Sequence, residues 1–489
     1  MAIVAAPEVA QPQGDSVPRR DIAAPAVAAS TIAPAKSGRP KQLDALTGLR
    51  FFAAFAILFA HDCDWVAPFK DNNIIPYYGQ VTSIYGMPLF FVLSGFVIHY
   101  NYGHLFGRMR FRWAALEFFG ARFARLYPLF IACFAVGLVV DVTYTWLESD
   151  HPRWWIEMVA HFLTMTQSWF YIIIFDDRLM MDNAYGLAWS ISTEFFFYLC
   201  YMGLVFFILQ LRRRHITVIA LMLFALLALG FFIFMKLHIG RFLGIAEHHI
   251  DNFISVEHRW NSSFERWFFY YSPYCRIFEF IMGCLTAHLY LQTQERSISH
   301  REHGWSRVAL GAAILSLIAI GWLFLDERSF PKIHDYVRFL SLNFICAVPI
   351  AVLIFCVSRY DTRISRFLGV AWLVALGEVS YSIYSVHTWT LRIFIRDPVN
   401  VSDAGVIDAV ARIALGIAVT LILATATYRF IEVPGRARLR RVFQHAAVAL
   451  FGLRANNFRG RTPNAISGVL ATGSLVLFLA VCLSYQLTR

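Results

Sequence analysis

The stretch "LDALTGLRFFAAFAILFAH", Leu43–His61, decides the fold class of this chain. Ten uninterrupted apolar residues, Phe51–Ala60, lie between Arg50 and His61. Eleven residues of α-helix turn through about 1100°, so both polar side chains lie on one face, about 16 Å apart along the axis. Ionisable groups in an apolar span are costly unless they face a protein interior or a wet cavity. This face is therefore predicted to point inward. The alternative is that Arg50 snorkels to the inner headgroups and His61 caps the helix at the interface.

Similar apolar runs recur along nearly the whole chain of 489 residues, which is 58% hydrophobic and 15% charged, with a mean hydropathy of +0.55. Helical runs of about 17–25 apolar residues can cross a bilayer. The prediction is an all-α, polytopic transmembrane helix bundle of ten spans plus one extra C-terminal span. The expected spans are 45–61, 84–100, 125–146, 186–209, 216–236, 271–292, 307–325, 337–358, 369–392, 405–429 and 466–486.

The distribution of charge predicts the topology. With the N-terminal tail inside, the tail and inner loops carry about 26 Lys and Arg and the outer loops about 9, as the positive-inside bias requires. Residues 154–175 are interpreted as interfacial or re-entrant, because a full span there would put Arg212–His215 outside. The net charge of +11 thus follows from topology, and its dispersed arginines exclude a nucleic-acid-binding face. We expect a multi-pass protein of a bacterial inner (plasma) membrane, with its N terminus in the cytoplasm.

The composition divides the chain into three parts. Residues 1–42 are rich in Ala and Pro and are predicted to form a disordered cytoplasmic tail. Residues 43–440 form the expected ten-span transmembrane domain. Residues 441–489 are expected to form a linker and the additional transmembrane helix.

Five further segments join Leu43–His61 in a recognisable order. They are "MPLFFVLSGFVI" (Met87–Ile98), "ARFARLYPLF" (Ala121–Phe130), "LAWSISTEFFFYL" (Leu187–Leu199), "LGEVSYSIYSVH" (Leu376–His387) and "YRFIEVPGR" (Tyr428–Arg436). In sequence and order, the six segments resemble the membrane-bound acyltransferase 3 family. The resemblance implies an enzyme that takes an acyl group, most commonly acetyl, from cytoplasmic acyl-CoA. It implies delivery of that group to a hydroxyl of a glycan or lipid-linked saccharide on the far side of the membrane.

Transfer from a thioester to a hydroxyl requires a base near the attacking hydroxyl and stabilisation of the developing oxyanion. His61 is the expected base, because imidazole titrates near neutral pH. Glu194 is expected to orient His61, and the alternative is that it pairs with Ser190, Ser192 or an arginine. Arg50 is expected to contact the donor near its thioester or to hold open a wet path.

The donor site is expected around the R-x-x-R pair, Arg122 and Arg125, which lie one helical turn apart on one face. Guanidinium forks match phosphate groups, so the pair suits coenzyme A, although positive-inside anchoring is the alternative. Ser94, in a Ser-Gly-Phe sequence, is expected to line the path of the pantetheine arm, with plain helix packing as the alternative. Tyr127 follows the R-x-x-R pair and is assigned to the same donor site.

The acceptor site is expected nearer the outer side, where Trp189 and His387 are assigned to contact the sugar. An outer segment also contains His248, His249 and Asp251. Their spacing matches no strong ligand pattern, so no metal cofactor is expected.

Two other classes of membrane protein remain open from the sequence. In a transporter or proton channel, Arg50, Glu194 and His61 would form an ion path. A polysaccharide polymerase or flippase of the envelope pathway is the second alternative. Consumption of acyl-CoA by the purified protein separates an acyltransferase from both.

Overall fold

The computed structural model describes residues 41–66, 74–145, 152–174, 178–394 and 406–451, and these residues are almost entirely helical. The long helices of the first half are α1 (Lys41–Val66), α2 (Ile74–Arg108), α3 (Phe111–Thr145), α5 (Ala188–Gln210) and α6 (Arg214–Leu237). Short elements of this half are α4 (Pro152–Leu163), β1 (Ile173–Ile174), β2 (Arg178–Leu179), a 3₁₀ turn (Met180–Asp182) and α7 (Ile239–His249).

The second half continues with a 3₁₀ turn (Trp260–Ser262), α8 (Phe264–Arg266), a π-helical turn (Trp267–Tyr271), α9 (Pro273–Thr293) and α10 (His300–Leu325). It ends with α11 (Pro331–Ser341), a 3₁₀ turn (Phe344–Cys346), α12 (Ala347–Arg359), α13 (Arg363–Leu368), α14 (Ala371–Glu378), α15 (Ser380–Phe394), α16 (Val406–Thr427), a π-helical turn (Tyr428–Glu432) and α17 (Val433–Phe451).

Helix α1 lies at the centre of the bundle, in contact with α2 and with α12 to α16. Its small residues Ala45, Ala53 and Ala54 are fully buried, which lets the neighbouring helices approach closely. At Gly48 a β-carbon would overlap the backbone carbonyl of Leu368 on α13. Arg50 and His61 themselves line cavities inside the bundle, so the face that carries them is enclosed by protein, as the sequence predicts.

A close helix crossing joins α2 to α9. A β-carbon at Gly95 would overlap the Phe280 carbonyl, and one at Gly283 would overlap the Val92 carbonyl. The two glycines therefore allow backbone-to-backbone packing at reciprocal positions. Within the Ser-Gly-Phe sequence, Gly95 therefore serves helix packing. This packing role does not extend to the side chain of Ser94.

Seven helices of the described residues are long and apolar enough to cross a membrane, or eight if α11 and α12, which meet at a bend of 90°, form one span. Outward-facing leucines on α6 and α10 are well exposed in the bundle, as expected of lipid-facing helices. The fold class predicted from the sequence is confirmed, whereas the count of ten spans plus one is not. The expected span 271–292 forms α9, which buries the ion pair Arg276–Glu279 and is therefore too polar to pass as a lipid-facing helix.

Other expected spans are divided. The span 337–358 is broken at Leu342 and Asn343, and the span 369–392 is split into α14 and α15 at Val379. Residues 154–175 hold most of α4, whose 12 residues reach only about 18 Å, and β1, which pairs antiparallel with β2 further along the chain. This short helix agrees with the interfacial or re-entrant interpretation.

The structure describes only part of the two expected terminal segments. Residues 1–40 of the expected tail and the expected last span, 466–486, lie outside the described residues. Helix α1 already begins at Lys41, and α17 runs without interruption through residue 440 to Phe451.

Candidate active site

Two neighbouring cavities lie beside α1, and each contains one end of the Arg50–His61 face. The first, called the arginine cavity, is lined by Arg50, Arg122, Arg125, Glu194 and Ser94 together with apolar and hydroxyl side chains, and its volume is about 70 Å³. The second, called the histidine cavity, is lined by His61, Asp182, Arg266, Trp189 and several tyrosines, and its volume is about 220 Å³. Since α1 is a continuous helix, Arg50 and His61 remain about 16 Å apart along its axis.

The arginine cavity carries an excess of positive charge. Three guanidinium groups face one carboxylate, which leaves a net charge of +2. Arg122 is only 6% exposed, and its Nη2 donates to the Tyr102 hydroxyl at 2.9 Å while its guanidinium lies 4.6 Å from the centre of that ring. Its Nε is buried without a hydrogen-bond partner among the described residues. An unpartnered buried donor beside excess positive charge is suited to an anionic ligand.

Glu194 belongs to this arginine cavity. Its Oε1 accepts hydrogen bonds from the Ser94 hydroxyl at 2.7 Å and from the Tyr198 hydroxyl at 2.8 Å. The predicted pairing of Glu194 with His61 is therefore wrong. Of the alternatives, the arginines share the cavity with Glu194, whereas its hydroxyl partners are Ser94 and Tyr198 in place of Ser190 or Ser192. The physical reason is electrostatic, because three arginines stabilise a carboxylate in this cavity better than a neutral imidazole would.

Tyr127 does not join the donor-site residues. It follows Arg125 by two positions, a rotation of about 200°, so its side chain leaves the helix on nearly the opposite face. There it stacks on Phe123 at 4.4 Å between ring centres, and its hydroxyl donates to the Leu163 carbonyl. Tyr127 is absent from the walls of both cavities.

His61 has an imidazole as its partner. Its Nδ1 lies 2.8 Å from Nε2 of His387, and the two ring planes are 14° apart. The Nδ1 of His387 lies 2.7 Å from the backbone carbonyl oxygen of Tyr384. His387 is fully buried behind His61 and lines neither cavity, so its expected contact with a sugar is not observed. Trp189, by contrast, lines the histidine cavity.

Met87 and Tyr384 line both cavities, and they separate one from the other. The Tyr384 hydroxyl accepts a hydrogen bond from the Ser190 hydroxyl at 2.6 Å and donates to the Leu187 carbonyl at 3.1 Å. Both bonds hold the tyrosine ring in place, whereas the flexible Met87 side chain has no such anchor. The two cavities are thus neighbours along α1. Met87 and Tyr384, which line both, are called the partition between them.

Among the described residues, no group of three or more His, Cys, Asp or Glu side chains could hold a metal ion. His248, His249 and Asp251 are exposed at the end of α7.

Most of this chain is similar in sequence to a known family of proteins. Residues 43–429 match an acyltransferase domain, that of the acyltransferase 3 family. The chain belongs to the acyltransferase 3 family. The resemblance carried by the six sequence segments is confirmed, and the protein is a membrane O-acyltransferase.

The sequence relatives of this chain are distant. Acyltransferase MdmB of Streptomyces mycarofaciens is 25% identical over 357 residues, which are 72% of this chain and 80% of MdmB. O-acetyltransferase OatA of Staphylococcus aureus is 22% identical over 406 residues, which are 82% of this chain and 58% of OatA. Nodulation protein 10 of Rhizobium leguminosarum bv. viciae is 26% identical over 157 residues, 31% of this chain and 41% of its own length. No solved structure matches the chain.

In this member of the acyltransferase 3 family, sequence analysis missed two charged residues of the histidine cavity, Asp182 and Arg266. Burial raises the pKa of Asp182 to about 7, against the opposing effect of Arg266, Arg178 and Arg259. The Arg266 guanidinium lies over the ring of Tyr271 at 5.2 Å and over that of Tyr270 at 5.7 Å. Both residues come from segments between long helices, where composition predicts only polar loops. The one available signal is the aromatic run "WFFYY" directly after Arg266.

Proposed function

We propose that this acyltransferase takes an acetyl group from cytoplasmic acetyl-CoA and transfers it to a hydroxyl of a glycan or lipid-linked saccharide on the opposite side of the membrane. The observation that carries the proposal is the pair of cavities on one face of α1, one rich in arginine and one containing His61, with Met87 and Tyr384 lining both. The relative OatA is named an O-acetyltransferase, which supports acetyl as the acyl group.

The arginine cavity is the proposed donor site. Coenzyme A carries a diphosphate and a 3′-phosphate, and guanidinium groups bind phosphate oxygens through paired N–H donors. The net charge of +2 and the unpartnered Nε of Arg122 both favour such an anion. Glu194 and Ser94 then act on the donor side of the path, where Glu194 limits the repulsion among the three arginines. Arg50, the one of the three that lies on α1 with His61, is assigned to the part of the donor nearest the thioester.

The histidine cavity is the proposed acceptor and reaction site. His61 removes the proton of the acceptor hydroxyl, whose oxygen attacks the thioester carbonyl carbon. The tetrahedral intermediate then collapses, the C–S bond breaks, and the departing thiolate takes the proton back from His61. Arg266 lines the same cavity and contributes positive charge where the oxyanion develops. Trp189 and Tyr270, 5.2 Å apart between ring centres, offer apolar ring faces for a sugar.

The distribution of basic residues supports the proposed direction of transfer. The basic inner loops put Arg122 and Arg125 on the cytoplasmic side by the positive-inside bias, and His61 near the other side. A flexible pantetheine arm reaches from the arginine cavity past the partition, so the phosphates need not cross the membrane.

The test is acyl transfer by the purified protein in lipid nanodiscs. Radiolabelled acetyl-CoA is supplied with a set of p-nitrophenyl glycosides of di- and trisaccharides, and both coenzyme A release and labelled glycoside are measured. We expect glycoside-dependent coenzyme A release that His61→Gln abolishes. A folded wild-type protein that binds no acetyl-CoA and releases no coenzyme A would contradict the proposal.

A further inference from the structure

We propose that His387 is a positioning residue, which fixes the proton of His61 on Nδ1 and so leaves Nε2 of His61 as the basic atom. This inference rests on the proposed function, since it concerns the base of that reaction. It replaces the sugar-contacting role expected for His387 from the sequence.

The chain of hydrogen bonds begins at a backbone carbonyl, which can only accept. Because Nδ1 of His387 lies 2.7 Å from the Tyr384 carbonyl oxygen, that nitrogen must carry a proton and donate it. In a neutral imidazole the second nitrogen then has a free lone pair, so Nε2 of His387 is an acceptor. His61 Nδ1, 2.8 Å away, is consequently the donor of the bond between the two rings. The lone pair of His61 is thereby assigned to Nε2.

The neutral state of His387 follows from its surroundings. The side chain is 0% exposed, and burial of a charged imidazole without a counter-ion is costly. Among the described residues, no hydrogen bond joins a carboxylate to either ring. The charged groups that line the histidine cavity beside His61 are Asp182 and Arg266, one of each sign, and the Arg266 cation opposes a second positive charge on the pair.

The opposite arrangement would disable the base. If His387 were protonated on both nitrogens, its Nε2–H would donate to Nδ1 of His61, and the proton of neutral His61 would then sit on Nε2. A base protonated on the nitrogen assigned to the acceptor cannot remove the hydroxyl proton. His387 therefore acts as a carboxylate does in a hydrolase triad, by selecting a tautomer, but without adding a negative charge.

Two substitutions at one position separate this role from simple packing. In His387→Gln the side-chain oxygen comes close to the position of Nε2 and can accept from His61. In His387→Asn the amide can still donate to the Tyr384 carbonyl but is too short to reach His61. We expect His387→Asn to lower kcat by about 1000-fold, by comparison with the wrong-tautomer defect of a triad. KM for acetyl-CoA should remain unchanged, and His387→Gln should recover at least about tenfold of the lost kcat.

The matched control is His334→Asn on α11. His334 is also buried, its Nδ1 bonds the Leu323 carbonyl at 3.1 Å, and its Nε2 has no partner among the described residues. This substitution therefore perturbs the same kind of buried histidine–carbonyl bond away from both cavities. It should leave kcat within about twofold of the wild type, as expected for a site outside the reaction.

The direct readout is the nitrogen NMR spectrum of histidine-labelled protein, in which the two neutral tautomers give different ¹⁵N shifts. The His61 signals are identified by their loss in His61→Gln. We expect protonated Nδ1 and unprotonated Nε2 in the wild type, and loss of this single state in His387→Asn. A wild-type His61 protonated on Nε2, or a His387→Asn variant with wild-type kcat, would overturn the inference. Retention of activity in His61→Gln would instead overturn the assignment of the base itself, which distinguishes the two failures.

Discussion

Replacing Arg122 by alanine tests the donor site at its best-defined group. Arg122 is buried in the wall of the arginine cavity, and its Nε has no partner in the part of the chain that the structure describes, so a bound phosphate would complete its hydrogen bonding. A hydrogen bond to a charged group contributes about 1.5–3 kcal/mol, and the loss corresponds to an increase of about 10- to 150-fold in the Kd for coenzyme A. Since phosphate binding is equal in the ground and transition states, KM for acetyl-CoA should rise while kcat stays nearly constant.

The assay for Arg122→Ala is calorimetric titration of coenzyme A into protein in nanodiscs, at two salt concentrations. Arg112→Ala is the matched control, because Arg112 lies on the same helix α3, is exposed, and lines neither cavity. Titration with 3′-dephospho-coenzyme A identifies which phosphate Arg122 contacts. A folded Arg122→Ala variant that binds coenzyme A as tightly as Arg112→Ala would refute the phosphate-binding role.

Three further predictions concern the path from donor to acceptor. His61→Gln should lower kcat by about 100- to 10,000-fold with unchanged binding of coenzyme A, as expected for loss of a general base, and a nearly active variant would remove His61 from the mechanism. The pKa of Asp182 is about 7, so its carboxyl group is mostly ionised at pH 8 and mostly protonated at pH 6. If the carboxylate accepts hydrogen bonds from sugar hydroxyls, KM for the glycoside should rise about tenfold between pH 8 and pH 6. Asp182→Asn should abolish this dependence, and an identical pH profile in both proteins would exclude the contact. Met87→Trp should block the partition, lowering kcat without weakening coenzyme A binding, whereas Met87→Leu conserves volume and should remain active. Equal turnover in both Met87 variants would show that the path lies elsewhere.

The sequence predicts the enclosed face of α1 because helical periodicity alone determines it. Arg50 and His61 need no tertiary information to be placed on one side of a helix, and both line cavities. The placement of Arg122 and Arg125 in one cavity is predictable for the same reason, because a separation of three residues keeps both side chains on one face of the helix. Tyr127 fails by the same geometry, because two residues of rotation take it out of the cavity.

Partners that are distant in sequence could not be predicted. His61 and His387 are 326 positions apart, and no local pattern determines which intramembrane histidine meets which other group. The pairing of Glu194 depends on the relative depth of α1, α2 and α5, which hydropathy locates only to within a few residues. The predicted span count is not confirmed by the described residues, in which α9 buries charged side chains inside the bundle and other expected spans are bent or divided.

We propose that donor and acceptor reach one reaction site from opposite faces of the membrane. The measurement is acyl transfer in sealed vesicles with the protein in one known orientation, using acetyl-CoA and a p-nitrophenyl trisaccharide that is active in nanodiscs. We predict transfer only when acetyl-CoA is supplied on the face of Arg122 and the glycoside on the face of His61. Efficient transfer with both substrates confined to the face of Arg122 would contradict entry of donor and acceptor from opposite faces of the membrane.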